Sequence, residues 1–222
     1  FGFHPHSGIA TLTYVAQGAF RYEDTSGAVG LLEGGGVEWI NAGSGVWHRA
    51  QAATHEPLHG FQLWIALPPR LELGPASSRY VPIGELSVAG PARVLLGHYG
   101  GASSSIESPS SINYLSVSLR PGERWVYQPP EEHTVLWVAV SKGAVSATER
   151  IEQGELAVFE PSRRAVELTA EEQVELVLGS AKPHPYDLAI GPSSVHTTPF
   201  ALSQGQQRIA EIRAFLQSTG RI

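Results

Sequence analysis

The sequence predicts an all-β protein, as one large β domain or two, followed by one C-terminal helix. Apolar and polar residues alternate with a period of two through both halves, the pattern of half-buried antiparallel strands. Glycine (24) and proline (16) are both abundant, as many short strands joined by tight turns require. At 222 residues the chain can bury one large β domain or two of about 100 residues each. Two β-rich halves of similar length suggest a duplicated barrel.

In the first half, Thr11 to Val15 and Ala19 to Glu23 flank Gln17-Gly18 as a hairpin. Asp24-Thr25-Ser26-Gly27 has turn chemistry, because Asp and Gly accept the backbone angles of a tight reversal. Gly34-Gly35-Gly36 leads into a strand over Val37 to Ile40, and Phe61 to Leu67 closes the half. No helical pattern follows the glycine run, so it reads as a turn and not as a phosphate cradle. Pro68-Pro69 and Leu73 to Pro91, rich in Pro, Gly, Ala and Ser, read as a linker. Strands are then expected at Arg93 to His98, Tyr114 to Leu119, Trp125 to Gln128, Val135 to Val140, Ala144 to Thr148, Glu155 to Phe159, Ala165 to Leu168 and Val174 to Leu178. Thr198 is placed to cap a helix with Pro199 at its first position. Leu202, Ile209, Ile212 and Leu216 then recur at helical spacing, a stripe that would dock on a barrel. The expected partition is a first barrel over 1–72, a linker over 73–91, a second barrel over 92–196 and a helical tail over 197–222.

Composition narrows the function. Hydrophobic content of 42% and charged content of 16% describe an ordinary globular chain. With a formal net charge of −6 and no Lys/Arg run, a nucleic-acid groove is not expected. The absence of cysteine excludes disulfides and thiolate metal sites. No apolar run approaches the roughly 20 residues that span a bilayer, so no membrane helix is expected; the lack of cysteine fits a reducing cytosol, and with no signal-peptide pattern a cytoplasmic location is expected.

The strongest chemical signal is His4-Pro5-His6. Two histidines at i and i+2 on an extended strand share one face, and His48 could be brought beside them by the fold. Three imidazoles would offer a divalent cation three neutral nitrogen donors and leave positions open for water or substrate.

The residues around these histidines carry a resemblance. His4 to Gly8, Thr11 to Tyr14, Gly18, Asp24 to Gly27, Gly36 to Trp39, Ala42 to His48 and Leu58 to Pro68 follow one another in a specific order. With the later segments YLSVSLRPGERW and GPSSVHTTPFAL, they resemble the pirin family of bicupins over almost the whole chain. The resemblance implies two cupin-type barrels and a mononuclear divalent metal, iron foremost, with nickel, manganese, zinc or copper as alternatives. It implies either a quercetinase-type dioxygenase acting on a small aromatic or enol ligand or an iron-bound transcriptional cofactor, and it names no protein partner. It also implies further strands before His4. Because the chain has no methionine, an N-terminal piece and internal methionines are expected to be missing from it.

Two departures weaken the expected activity. The family places a glutamate two residues after the third histidine, where this chain has Ala50; the cupin carboxylate four residues after the second histidine is replaced by Ala10. A metal-side glutamate can serve as ligand, as base, or as both. The alternative reading is thus a non-catalytic ligand-binding or regulatory bicupin with a degenerate site and weak metal affinity or none. Gln62, Trp47 and Trp39 are expected to line the pocket, and His59 to be a hydrogen-bonded core histidine beside it. His55 and Glu56 read as an exposed loop. His98, His133, His184 and His196 form no His-x-His pair, so no second metal site is expected. Ser103 to Ser105 beside Glu107 lack a Gly-x-Ser-x-Gly elbow, which argues against a serine hydrolase.

Overall fold

The structure, a computed structural model, describes residues 2–222. The chain divides into two compact units, Phe1–Glu85 with His184–Ile222, and Leu86–Pro183. In the first unit the strands are β1 (His4–His6), β2 (Ile9–Gln17), β3 (Ala19–Asp24), β4 (Val29–Glu33), β5 (Val37–Asn41), β6 (Val46–Ala52), β7 (His59–Ala66) and β8 (Ser77–Val81). They form two antiparallel sheets of order β1-β6-β3-β4 and β7-β2-β5-β8. Val15 and Tyr80 from one sheet meet Phe20, Leu32, Tyr22 and Ala50 from the other, so the sheets face each other across an apolar layer. Burying each large side chain contributes about 1.5–3 kcal/mol. Pro5 is tolerated inside β1 because β1 is an edge strand, where a missing N–H costs little.

The second unit contains β9 (Val88–Ala89), β10 (Ala92–Leu96), β11 (His98–Tyr99), β12 (Ala102–Ser103), β13 (Ile112–Leu119), β14 (Arg124–Tyr127), β15 (Val135–Lys142), β16 (Ala144–Ser146), β17 (Arg150–Glu152), β18 (Leu156–Val158), β19 (Val166–Ala170) and β20 (Val174–Ala181). A six-stranded sheet, β18-β15-β20-β13-β10-β9, packs on a four-stranded one, β14-β19-β16-β17, through Leu115, Val138, Leu178, Trp125, Tyr127 and Leu168. Both units have the cupin-like plan of facing antiparallel sheets, and among the described residues neither is hydrogen-bonded into a continuous barrel.

The chain then returns to the first unit through β21 (Ala189–Gly191), β22 (Ser194–His196) and α1 (Pro199–Ser218). The expected boundaries at 92–196 and 197–222 are corrected accordingly, since 184–196 joins the first unit. The reason is a buried polar seam: Ser7 Oγ donates to Ser194 Oγ at 2.8 Å and lies 3.0 Å from His196 Nε2. Glu72 accepts both the Thr197 N–H and its hydroxyl at 2.6 Å. Gly8, at φ +73°, lets the chain turn under this seam; a Cβ there would stand 2.0 Å from the Val195 carbonyl. Gly205 lets α1 close over it, where a Cβ would meet His196 Nε2 at 2.4 Å. The expected linker is likewise corrected, because Ser77–Val81 forms β8 in register with β5. Its small and polar residues masked a strand that tertiary pairing specifies. Leu216 is buried in α1, and Leu202, Ile209 and Ile212 are half-buried, as a docked stripe requires. Among the described residues, no helix is long and apolar enough to cross a membrane.

Candidate metal centre

Strand pairing assembles the site in two facing rows. In one sheet His4 pairs with His48, and His48 pairs in turn with Asp24. His6 stands two residues along β1 from His4 and so on the same face. In the other sheet Gln62, Thr13, Glu38 and Tyr80 lie side by side across β7, β2, β5 and β8. Tyr80 Oη joins the rows at one end by donating to Asp24 Oδ2 at 3.1 Å. Asp24 is fixed by its own turn, accepting from Ser26 N at 2.7 Å and from Ser26 Oγ at 2.6 Å.

The imidazoles of His4, His6 and His48 converge. Ring centroids are 4.2 Å apart for His4 and His48, and 5.1 Å for each of the other two pairs. One nitrogen from each ring lies within 4.8 Å of the others, the only such cluster among the described residues. Nitrogens sharing a metal at about 2.0–2.1 Å would sit roughly 3 Å apart, so small ring rotations close the set.

The outer nitrogens decide which inner ones are available. His4 Nδ1 donates to the Gly2 carbonyl at 2.9 Å, and His6 Nδ1 donates to the Ser193 carbonyl at 3.4 Å. A proton on Nδ1 leaves the Nε2 lone pair for a metal. His6 Nε2 and His48 Nε2 are buried without a hydrogen-bond partner. Buried imidazole nitrogens without a protein partner are donors that a divalent cation would satisfy. Burial, the largest cause, lowers the His4 pKa and pushes that of His6 down to about 3, with the neighbouring imidazoles adding to both shifts. Both rings are therefore neutral at pH 7, the ligating form. The residues present fit a divalent metal.

A cavity of about 300 Å3 opens onto this face, lined by His4 and His48 with Thr13, Glu38, Ala50, Phe20, Phe61 and Gln62 among others. Gln62, one of the expected pocket residues, borders this cavity. Trp47 does not: its indole N–H donates to the Ile209 carbonyl of α1 at 2.9 Å, and its ring lines a separate groove beside that helix. Trp39 is buried beside Leu12 and Arg79 in register and is not a wall of the cavity. Both follow from alternation, since each is next in sequence to a residue that faces the cavity. His59 is exposed at the start of edge strand β7 and borders the cavity, a correction to the expected core histidine. Ala10 is fully buried in β2, and His55 and Glu56 are exposed. Trp64 is exposed beside the triad: its ring meets His6 edge-on at 5.0 Å and its N–H donates to Gln62 Oε1 at 2.8 Å.

The residue that sequence reasoning missed is Glu38. It is 2% exposed, accepts from Thr13 Oγ1 at 2.8 Å through Oε2, and holds Oε1 3.6 Å from His48 Nδ1. Oε1 has no hydrogen-bond partner. Its one sequence signal is a carboxylate inside the otherwise apolar run Val37-Glu38-Trp39-Ile40. A second buried cluster, Ser7, His196 and Glu72, has the residue types of a hydrolytic triad, but Ser7 is fully buried under α1 and serves as structure. In the second unit His133 joins Ser180 at 2.7 Å and Ser111 at 2.9 Å, again as buried structure.

The Pirin family model matches residues 1–65. A pirin-like protein of Caulobacter vibrioides is 30% identical over 189 residues, 79% of this chain and 64% of the relative, so the chain spans less than two thirds of that protein's length. The crystal structure of a quercetin 2,3-dioxygenase from Acinetobacter baumannii is 26% identical with a TM-score of 0.82, covering 99% of this chain and 77% of that one. A bacterial pirin from Escherichia coli, solved in complex with nickel(II), is 23% identical with a TM-score of 0.69, covering 83% and 77%; at that identity it speaks for the fold alone.

Proposed function

The chain belongs to the pirin family, of cupin-like fold, and from that premise we propose that it holds one divalent metal ion on His4, His6 and His48 and acts as a dioxygenase on a flavonol-like or other enol substrate. The observation that carries the metal is the triad of converging imidazoles whose inner nitrogens lack protein partners. The substrate class is supported by the cavity, whose size of about 300 Å3 is that of a small-ligand pocket, with a mainly apolar surface beside the polar side chains of His4, His48, Thr13, Glu38 and Gln62. The Acinetobacter neighbour, by its title a quercetin 2,3-dioxygenase, points the same way. Iron is the metal we propose, and nickel, manganese, zinc and copper also suit three imidazoles. When bound, the metal supplies Lewis acidity and an open coordination position for substrate and O2.

The protein's own residues do the rest. Gln62 and Thr13 offer polar contacts on the cavity wall, Gln62 Nε2 donating to Thr13 Oγ1 at 3.2 Å. Phe20 and Phe61 pack the aromatic body of the ligand and exclude water. Because Ala50 brings no carboxylate to the position beyond His48, an enol substrate that arrives as its anion would supply the missing charge itself. That same alanine favours a second reading, a non-catalytic ligand-binding or regulatory protein on the same fold.

Elemental analysis of protein purified without chelator or nickel-affinity tag tests the proposal, followed by oxygen-dependent quercetin consumption. Stoichiometric redox metal and turnover support the enzyme; an empty site supports the binder. His4→Ala, His6→Ala and His48→Ala should each abolish metal uptake with little loss of folding, because two imidazoles are too few for a stable site. Normal metal content in His48→Ala would remove that residue from the site.

A further inference from the structure

We propose that Glu38 is the carboxylate of this metal centre, delivered from the opposite sheet as a positioning residue for His48. This rests on the triad of the preceding section and assigns its missing acidic partner. The case begins with cost. A carboxylate that is 2% exposed, with one oxygen lacking any partner, is expensive to keep unless something compensates it. Thr13 satisfies Oε2 and leaves Oε1 directed at His48 Nδ1, 3.6 Å away. His48 is in the complementary position, with both ring nitrogens buried and unpartnered. A proton on Nδ1 and a closing of well under 1 Å would make one hydrogen bond, satisfying both groups at once.

The arrangement completes a pattern. His4 and His6 have their Nδ1 protons held by the Gly2 and Ser193 carbonyls, which selects the Nε2 lone pairs. Glu38 is the remaining acceptor, and with it all three imidazoles present Nε2 to one point. An anionic acceptor does more than a carbonyl can. It raises the basicity of the imidazole it holds and offsets part of the charge of a divalent ion. Glu38 stands in a row with Thr13 and Gln62, whose side chains link it onward to Trp64 against His6, so its Oε2 side is held by one continuous chain of contacts. Position 50 offers no carboxylate on the strand that carries His48, and Glu38 brings one from the opposite sheet.

The test uses cobalt(II) as probe on the full chain stripped of metal. Glu38→Gln keeps an acceptor oxygen without the charge, and Glu38→Leu removes both. We expect cobalt affinity to fall about tenfold in Glu38→Gln and up to about a hundredfold in Glu38→Leu, the range typical of outer partners of metal-bound histidines. The metal-free melting temperature should be unchanged or higher in Glu38→Leu, because an uncompensated buried charge is gone. Nitrogen NMR of His48 should report Nδ1–H in the wild type and a mixture of tautomers in Glu38→Leu. Cobalt affinity within twofold of wild type in both folded variants would overturn the proposal. His48→Ala, measured alongside, separates the two levels: if it retains cobalt the triad itself fails, and if it loses cobalt while the Glu38 variants do not, only the role of Glu38 fails.

Discussion

Ala50→Glu puts a carboxylate back where the resemblance expects one, and the structure sets the size and sign of its effects. Position 50 lies two residues beyond His48 on β6 and so shares its face, and Ala50 lines the same cavity of about 300 Å3 as His48 and Glu38. Without metal, the new carboxylate enters a region that already holds one buried carboxylate. Two like charges about 4 Å apart repel by about 4 kcal/mol at an effective dielectric of 20, part of which protonation or a shift toward the open cavity relieves. We therefore expect the metal-free variant to be less stable than wild type by about 1–3 kcal/mol. A divalent ion reverses the balance, since its attraction for each carboxylate exceeds their mutual repulsion. A net gain of about 1.4–2.8 kcal/mol in binding, tenfold to a hundredfold in affinity, is the expected surplus. The diagnostic is opposite movement: a lower melting temperature without metal and a larger rise on adding it, by mass-action linkage. Competition against a chromophoric chelator gives the affinity, and differential scanning calorimetry gives both melting temperatures. Ala50→Gln, similar in size but uncharged, should gain less. Quercetin consumption should rise with metal occupancy if the added carboxylate also serves as base. Pairing Ala50→Glu with Glu38→Gln should relieve the metal-free instability, a non-additivity expected of neighbouring charges. Unchanged metal affinity in folded Ala50→Glu would refute the reasoning.

Two other outcomes test the folded state directly. His6 is held down to about 3 by burial and then by its imidazole neighbours, so between that value and 6.5 the unfolded chain binds the proton and the folded chain does not. Its contribution to stability is complete above pH 6.5 and is lost as pH falls toward 3, by up to about 1.4 kcal/mol per pH unit. Metal-free His6→Ala should therefore lose less stability than wild type between pH 7 and pH 5 in urea titrations, and parallel losses would show that His6 is not buried as the neutral form. Thr198 Oγ1 accepts from Ala201 N at 3.1 Å to cap α1, so Thr198→Ala should cost about 1 kcal/mol while Thr198→Ser costs only a few tenths; a thermal melt unchanged by the alanine would show that the cap contributes nothing.

Which parts of the centre the sequence exposes depends on how far each part's geometry reaches along the chain. His4 and His6 are legible because two residues on one strand settle their shared face, and His48 because the motif around it is continuous through Ala42 to His48. The C-terminal helix is legible from Thr198-Pro199 and the stripe that ends at Leu216, all local signals. The return of residues 184–196 to the first unit is not, because it depends on Ser7 meeting Ser194 and on Glu72 meeting Thr197, contacts between segments far apart in the chain. Glu38 sits between these cases. Its row partners Thr13, Gln62 and Tyr80 come from three other strands, and no spacing within one strand predicts which register aligns them. Alternation does, however, tie its direction to that of Trp39: adjacent residues on a strand face opposite ways, so only one of the two can face the cavity. Glu38 is the one that lines it, which places Trp39 on the far face of the strand. The same rule sets Trp47 against His48, and there the histidine's partners already determine the answer. Where a strand next to a suspected metal site carries both an aromatic and a carboxylate in adjacent positions, the carboxylate is the better candidate for the inward face, because a buried metal compensates its charge and an aromatic ring has no comparable need of the metal.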